Sequence, residues 1–227
     1  MRLKIVGFEN ELIFNNNINV LIISNKECFL HVLECINSKN QGLENNEIFL
    51  LDSENNELDM EKNILILFDV FNIEYNSKKF LNKIYDIVSN NIKLKNDFII
   101  EELIFKLRNY IIEEINELPF EFLMKDEVDI LDILKLFSLK IDSRSYTTIL
   151  ERIELVIDML SIIQPDTLLI IPNLKLYMSD EEIIELYKYS LYNNINLLVV
   201  EQKFNNKLEY ENVLLIDENF EETVYLE

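Results

Sequence analysis

Asn19-Val20-Leu21-Ile22-Ile23-Ser24-Asn25-Lys26-Glu27, residues 19–27, decides the fold. Four consecutive apolar side chains, three of them β-branched, leave no polar face for water. Such a run suits a strand covered on both sides, as in a parallel sheet. A short polar turn follows. A helical pattern then runs over Glu27–Ile36, with Cys28, His31, Val32 and Cys35 on one face. Working outward, runs of the same kind return at Ile64-Leu65-Ile66-Leu67-Phe68, Leu168-Leu169-Ile170-Ile171, Leu197-Leu198-Val199-Val200 and Val213-Leu214-Leu215-Ile216. Each closes on a polar residue: Ser24, Asp69, Asn173, Glu201 or Asp217. Between them lie helical patterns. One spans Lys78–Val88, with Ser77 as its N-cap, and another follows the capping box Ser179-Asp180-Glu181-Glu182. A hairpin is expected at Leu3–Phe14, turning near Glu9-Asn10. Alternating strands and helices define an α/β domain with a mostly parallel sheet.

The stretch from about 96 to 164 breaks this rhythm, because it holds no strand-like run. One long amphipathic helix reads through Ile99, Leu103, Leu107, Ile111 and Ile115 and stops before Pro119. A shorter helix covers Val128–Phe137. A third reads through Ile149, Ile153, Val156, Ile157 and Leu160 and ends before Pro165. The predicted organisation is an α/β head, residues 1–92 and 165–227, interrupted by a helical leg over 93–164.

Composition narrows the chemistry. The 227 residues carry 21 Lys plus Arg against 42 Asp plus Glu, a net charge of −21, and 49% are hydrophobic, which excludes disorder. The two glycines, Gly7 and Gly42, lie too far apart for a Walker A loop or a dinucleotide-binding turn. A single histidine excludes multi-His metal sites and argues against a His-dependent triad. No apolar run reaches the ~20 residues of a membrane span. The N-terminus lacks a signal-peptide core, and Cys28 and Cys35 are too far apart along their helix for a disulfide, so a cytoplasmic protein is expected.

Candidate sites follow from these limits. In an α/β fold, ligands sit at the carboxyl ends of the strands. The turn Ser24–Glu27 stands where a phosphate loop would, without a glycine to let the backbone wrap a phosphate. Asp69 stands where a Walker B aspartate would; a solvated or capping role is the simpler reading. Cys28, His31 and Cys35 offer three zinc donors at helical spacing but no fourth, and they read as a half-buried helix face. Glu121, Asp126, Glu127, Asp129 and Asp132 form an acidic segment beyond Pro119. It is either a solvated loop, with Asp126 capping a helix and Asp129 and Asp132 on that helix's exposed face, or a set of hard oxygen ligands suited to Ca²⁺. Basic residues are few. Lys78, Lys79 and Lys83 share one helix start, and Lys135, Lys140 and Arg144 form a second group. Either group could meet phosphates, although the overall charge repels nucleic acid.

The order of these pieces resembles the Csn2 family, the small CRISPR-associated proteins of type II-A systems that act in spacer acquisition. The resemblance rests on Asn19–Ile23 with its glycine-free turn, Asn63–Val70, the acidic Leu123–Asp129 running into Ile130–Lys135, Leu139–Asp142, Leu168–Asn173, Met178–Glu182 and Leu197–Glu201. It implies a head related to P-loop ATPases but without nucleotide hydrolysis, plus a helical leg. It further implies a homotetrameric ring threaded by double-stranded DNA from a free end. Lysines on the inner wall would hold the DNA, and Ca²⁺ at acidic sites would hold the ring. The partners implied are the RNA-guided CRISPR nuclease and the spacer integrase complex. Through the resemblance, Asp126 and Glu127 are the best-matched metal ligands, with Glu121, Asp129 and Asp132 more loosely placed.

A non-enzymatic DNA-end-binding protein is therefore the expected function. Two other classes compete with it. A protein-interaction scaffold without DNA contact would suit the charge. A metal-dependent nuclease would need Asp69, Asp126 and Glu127 around Mg²⁺.

Overall fold

The computed structural model describes residues 1–15, 17–95, 98–125 and 127–226. The chain divides into two compact units. One comprises Met1–Ile73 with the chain from Ser143 onward, and the other is Glu74–Asp142.

The first unit is built on a six-stranded sheet. Its strands are β3 (Ile18–Ile23), β5 (Ile64–Ile66), β6 (Leu168–Pro172), β7 (Asn196–Glu201), β8 (Glu211–Ile216) and β9 (Glu222–Tyr225), in the order β5-β6-β7-β3-β8-β9. The first five in that order run parallel; β9 pairs antiparallel with β8. Every residue of β3 and β6 is buried, so both faces are covered; the one polar residue among them, Asn19, donates its side-chain amide to the Ile13 carbonyl. Register aligns Asn19 with Leu198 and Ile18 with Glu211, so β3 sits centrally.

The edge strand β5 is shorter than its apolar run. Ile64–Ile66 pair with Leu168–Ile170, Leu67 adds one backbone bond to Ile170, and the chain then turns away, leaving Phe68 exposed. A second sheet, β2-β1-β4, joins β1 (Arg2–Ile5), β2 (Leu12–Ile13) and β4 (Ile48–Leu51), all antiparallel. β1 and β2 are the expected hairpin, with Leu3 opposite Leu12. Its connection is tied down by Glu222, whose carboxylate accepts the Glu9 and Asn10 amides at 2.6 and 2.9 Å. The sequence reading contained neither β4 nor β9. Each is four residues long and alternates or faces solvent, so neither shows the buried-strand signature.

Helices α1 (Lys26–Asn40), α2 (Met60–Asn63), α6 (Ile149–Ile163) and α7 (Asp180–Tyr192) complete this unit. The capping box at Ser179 forms as read: Ser179 Oγ accepts the Glu182 amide and Glu182 returns to the Ser179 amide. α6 has the same device, from Thr148 to Glu151, and it buries Ile153, Val156, Ile157 and Leu160. α6 packs on α7, where Tyr189 donates to Asp158 at 2.5 Å. That bond, with burial, pushes the Tyr189 hydroxyl up to about 12.

The second unit contains α3 (Lys78–Leu94), α4 (Ile99–Ile115) and α5 (Ile130–Leu136). Its limits differ from those expected of the leg. The structure divides the chain at 74 and 142, not at 93 and 164, because α6 buries its apolar face within the sheet unit and α3 packs on α5. Ser77 caps α3 through the Phe80 amide.

Candidate functional site

The carboxyl ends of the parallel strands come first, since that rim is where this architecture binds ligands. β3 leads into α1 through Ser24 and Asn25. Asn25 turns its side-chain oxygen back onto the helix and accepts the amides of Glu27 (3.1 Å) and Cys28 (3.0 Å). Ser24 spends its own amide on Ile216. The donors that a phosphate would use at a helix N-terminus are thereby taken, and Glu27 adds negative charge in the first turn. Asp69, beyond β5, closes a turn by accepting the Phe71 and Asn72 amides at 2.9 and 3.1 Å and the Asn72 side chain at 2.8 Å. The Asn72 side chain, then these amides, hold its carboxyl below the usual range. Its oxygens serve the turn.

A buried polar network that sequence reasoning missed runs from this rim, at Glu201, to Glu211 at the amino end of β8. Glu201, the last residue of β7, accepts the Lys175 amide at 2.8 Å. The Lys175 ammonium reaches Glu211 at 2.6 Å, and Tyr187 donates to the same Glu211 oxygen at 2.9 Å. The other Glu211 oxygen accepts the Leu208 amide. Glu201, Glu211 and Tyr187 are all buried. Burial pushes the Glu201 carboxyl up to about 7, against the pull of Lys175. Burial, aided by the Glu211 charge, raises Tyr187 far above its ordinary value. The only trace in the sequence is a glutamate at the edge of each apolar run, Glu201 closing one and Glu211 opening the other.

The acidic segment lies in the helical unit. Asp129 is the N-cap of α5. It accepts the Asp132 amide at 3.0 Å, and Asp132 accepts the Asp129 amide at 3.1 Å, making a reciprocal capping box. Lys125 also pairs with Asp132 and, with the Asp129 amide, holds that carboxyl below the usual range. Asp126 lies outside the described residues; the cap expected of it is supplied by Asp129. Glu121 and Glu127 are exposed. Among the described residues these carboxylates do not converge into a group of three, and a lysine already occupies Asp132. Ca²⁺ takes six to eight oxygens. The described donors of a single chain do not fit that requirement.

The basic residues are placed more tightly than their numbers suggest. Lys79 and Lys83 lie one turn apart on α3. Burial and the Lys79 charge lower the Lys83 ammonium. The 139–141 segment is fastened along the same helix start. The Asn76 side chain donates to the Ile141 carbonyl at 3.0 Å and accepts its amide at 2.8 Å, and the Tyr85 hydroxyl donates to Leu139 at 3.0 Å. Lys140, between two latched neighbours, is thus held beside the segment that starts α3 at Lys78. Lys135 stands in the last turn of α5 and faces the Asp132 carboxylate. Arg144 belongs to the sheet unit.

α4 is the other conspicuous surface. It has no buried residue, although Leu103, Phe105, Leu107 and Tyr110 are each more than half exposed. No helix among the described residues is long and apolar enough to cross a membrane.

A mostly parallel α/β sheet whose β3-to-α1 turn is capped by its own asparagine, with a separate helical unit carrying basic and apolar surface, is the class of protein that this geometry defines. Comparison with known proteins places it further. A family model described as CRISPR-associated protein (Cas_Csn2) matches residues 41–220, and the chain belongs to that family. CRISPR-associated protein Csn2 of Enterococcus faecalis is 25% identical over 203 residues, covering 88% of each chain. The crystal structure of Stu0660 of Streptococcus thermophilus matches with a TM-score of 0.58 at 14% identity, over 96% of this chain and 75% of that one, a likeness of fold.

Proposed function

We propose that the chain is a non-enzymatic protein of CRISPR adaptation that assembles into a ring of its own copies and binds double-stranded DNA from a free end during spacer acquisition. The observation that carries this reading is the pair Lys79 and Lys83 one turn apart on α3, with the backbone around Lys140 fastened to Asn76 and Tyr85, in the helical unit that also bares α4. At −21 the molecule as a whole repels DNA, so binding needs such a local basic surface. Lysines on backbone phosphates give binding without sequence preference. A long helix whose Leu103, Phe105, Leu107 and Tyr110 stay exposed among the described residues supports assembly of copies, four in the family pattern. The kinship of the sheet with P-loop ATPases belongs to the same reading, with Asn25 filling the place of the phosphate and no hydrolysis. The Ca²⁺ ions of the family pattern would draw on Glu121 and Glu127 from more than one copy and support the ring that holds the DNA.

The test is fluorescence anisotropy of a linear duplex against salt. Neutralising ~6 phosphates gives a slope near −5 in log K against log salt. Lys79→Ala, Lys83→Ala and Lys140→Ala combined should make the slope shallower by about 0.9 for each lost contact. Unchanged affinity and slope would overturn the assignment.

The net charge favours one other reading, a scaffold that joins the RNA-guided nuclease and the integrase complex without touching DNA. It predicts no duplex binding at low salt with or without Ca²⁺. A nuclease reading loses support because Asp69 is spent on its own turn. Incubation with Mg²⁺ or Mn²⁺ should leave duplex DNA intact.

A further inference from the structure

His31, Cys35 and Glu47 bring their donor atoms within 4.8 Å of one another, the only such group of three His, Cys, Asp or Glu residues among the described residues. His31 and Cys35 lie one turn apart on α1, so they share a face. Glu47 comes from the residue just before β4. Its carbonyl accepts the Val6 amide at 2.7 Å, its amide donates to Asn45 at 2.8 Å, and the next residue, Ile48, is fully buried. The carboxylate is therefore brought by a fixed piece of sheet. Glu27 and Glu34 flank His31 in the sequence but lie outside the group; the fold supplies Glu47 from sixteen residues away.

We propose that these three side chains form a binding site for a borderline-to-soft divalent transition ion, Zn²⁺ foremost. The donor set is one thiolate, one imidazole and one carboxylate, each an ordinary zinc ligand. Tetrahedral bonds of ~2.3 Å to sulfur and ~2.0 Å to nitrogen or oxygen set donor separations of roughly 3.5 Å for S···N and 3.3 Å for N···O. Cys35 Sγ and His31 Nε2 stand 3.6 Å apart, already at the required edge. His31 Nε2 and Glu47 Oε2 stand 2.8 Å apart, the length of the hydrogen bond they share, and need to part by only about half an ångström. Access is open on one side. The His31 and Glu47 side chains are 55% and 52% exposed, and Cys35 is buried at 4%. A water can thus complete the fourth position, while the sulfur forms the floor. Cys28, two turns along the helix from Cys35, lies outside the group. Sulfur and nitrogen donors select against Ca²⁺ and Mg²⁺, which take oxygen. A bound ion would tie α1 to the β1–β4 sheet.

The experiment uses the full chain, reduced and stripped of metal, titrated with Co²⁺ as a spectroscopic stand-in and with Zn²⁺ against a chromogenic chelator. One ion per chain is expected, with a thiolate-to-cobalt charge-transfer band, visible bands of tetrahedral intensity, and no displacement by excess Ca²⁺. Cys35→Ser should remove the charge-transfer band, and Cys28→Ser should leave it. Because Cys35 is buried, the exposed positions provide the second arm. His31→Gln and Glu47→Gln should each weaken binding by more than the roughly tenfold that loss of an outer-shell partner costs. No band in the wild-type chain would overturn the site. So would a band that survives Cys35→Ser, or an affinity unmoved by both exposed variants.

Discussion

Replacing Glu201 by Gln should make the protein more stable in mild alkali and leave it unchanged in mild acid. Glu201 is buried at the end of β7. Its carboxyl is raised from 4.5 to about 7, chiefly by burial, and the Lys175 amide and ammonium offset this only in part. The folded state therefore binds this proton more tightly than the unfolded chain does. Between about 4.5 and 7 the folded state holds more protons, so stability falls as pH rises through that window and levels off above it. Each pH unit of that window is worth about 1.4 kcal/mol, so the charged form costs roughly 3 kcal/mol by pH 8. Gln keeps an oxygen for the Lys175 amide without the charge, and Lys175 keeps its pairing with Glu211. Urea unfolding of wild type and variant at pH 4.5, 6 and 8 should show a difference near zero, then growing to about 3 kcal/mol in favour of Glu201→Gln. A difference that does not change with pH, or one that favours wild type at pH 8, would refute the burial argument.

Three further outcomes follow from the same contacts. Tyr187→Phe removes a buried hydrogen bond to a charged Glu211 and should cost about 2 kcal/mol in urea unfolding at pH 8, with Glu211 still held by Lys175 and Leu208. Thr148→Ala removes the N-cap of α6 and should cost about 1 kcal/mol, with Thr148→Asp close to neutral in the same assay. Leu103→Glu with Leu107→Glu on α4 should reduce the proposed assembly to single chains in analytical ultracentrifugation at an unchanged circular dichroism spectrum, because neither residue is buried within one chain. An assembly unaffected by both charges would remove α4 from the interface.

The sequence carries the parallel sheet plainly, because interior strands covered on both faces are written as unbroken apolar runs. Val20–Ile23, Leu168–Ile171, Leu197–Val200 and Val213–Ile216 all become strands of one sheet. Capping residues are also legible, since Ser77 and Ser179 can act only locally. Two short strands with open faces are not. β4 and β9 need just four residues each and leave alternate or most side chains outside. Missing β4 also hid Glu47, and with it the carboxylate beside His31. The acidic segment was ambiguous for a chemical reason. Asp-x-x-Asp ahead of an apolar run serves a helix cap as readily as a hard cation, and at Asp129 and Asp132 the cap takes both. The lysine grouping depends on Asn76 and Tyr85 reaching Ile141 and Leu139, contacts between residues 65 and 54 positions apart that no local pattern encodes. Domain limits were displaced because α6 and the leg helices are equally amphipathic in sequence, and only packing assigns α6 to the sheet.

The central claim is binding of DNA from a free end, and a gel-shift at low salt tests it most directly. Linear and covalently closed circular duplexes of the same sequence are compared at equal protein. The account predicts a shift of the linear form alone, lost as salt rises. Equal retardation of both forms, or of neither, would contradict it.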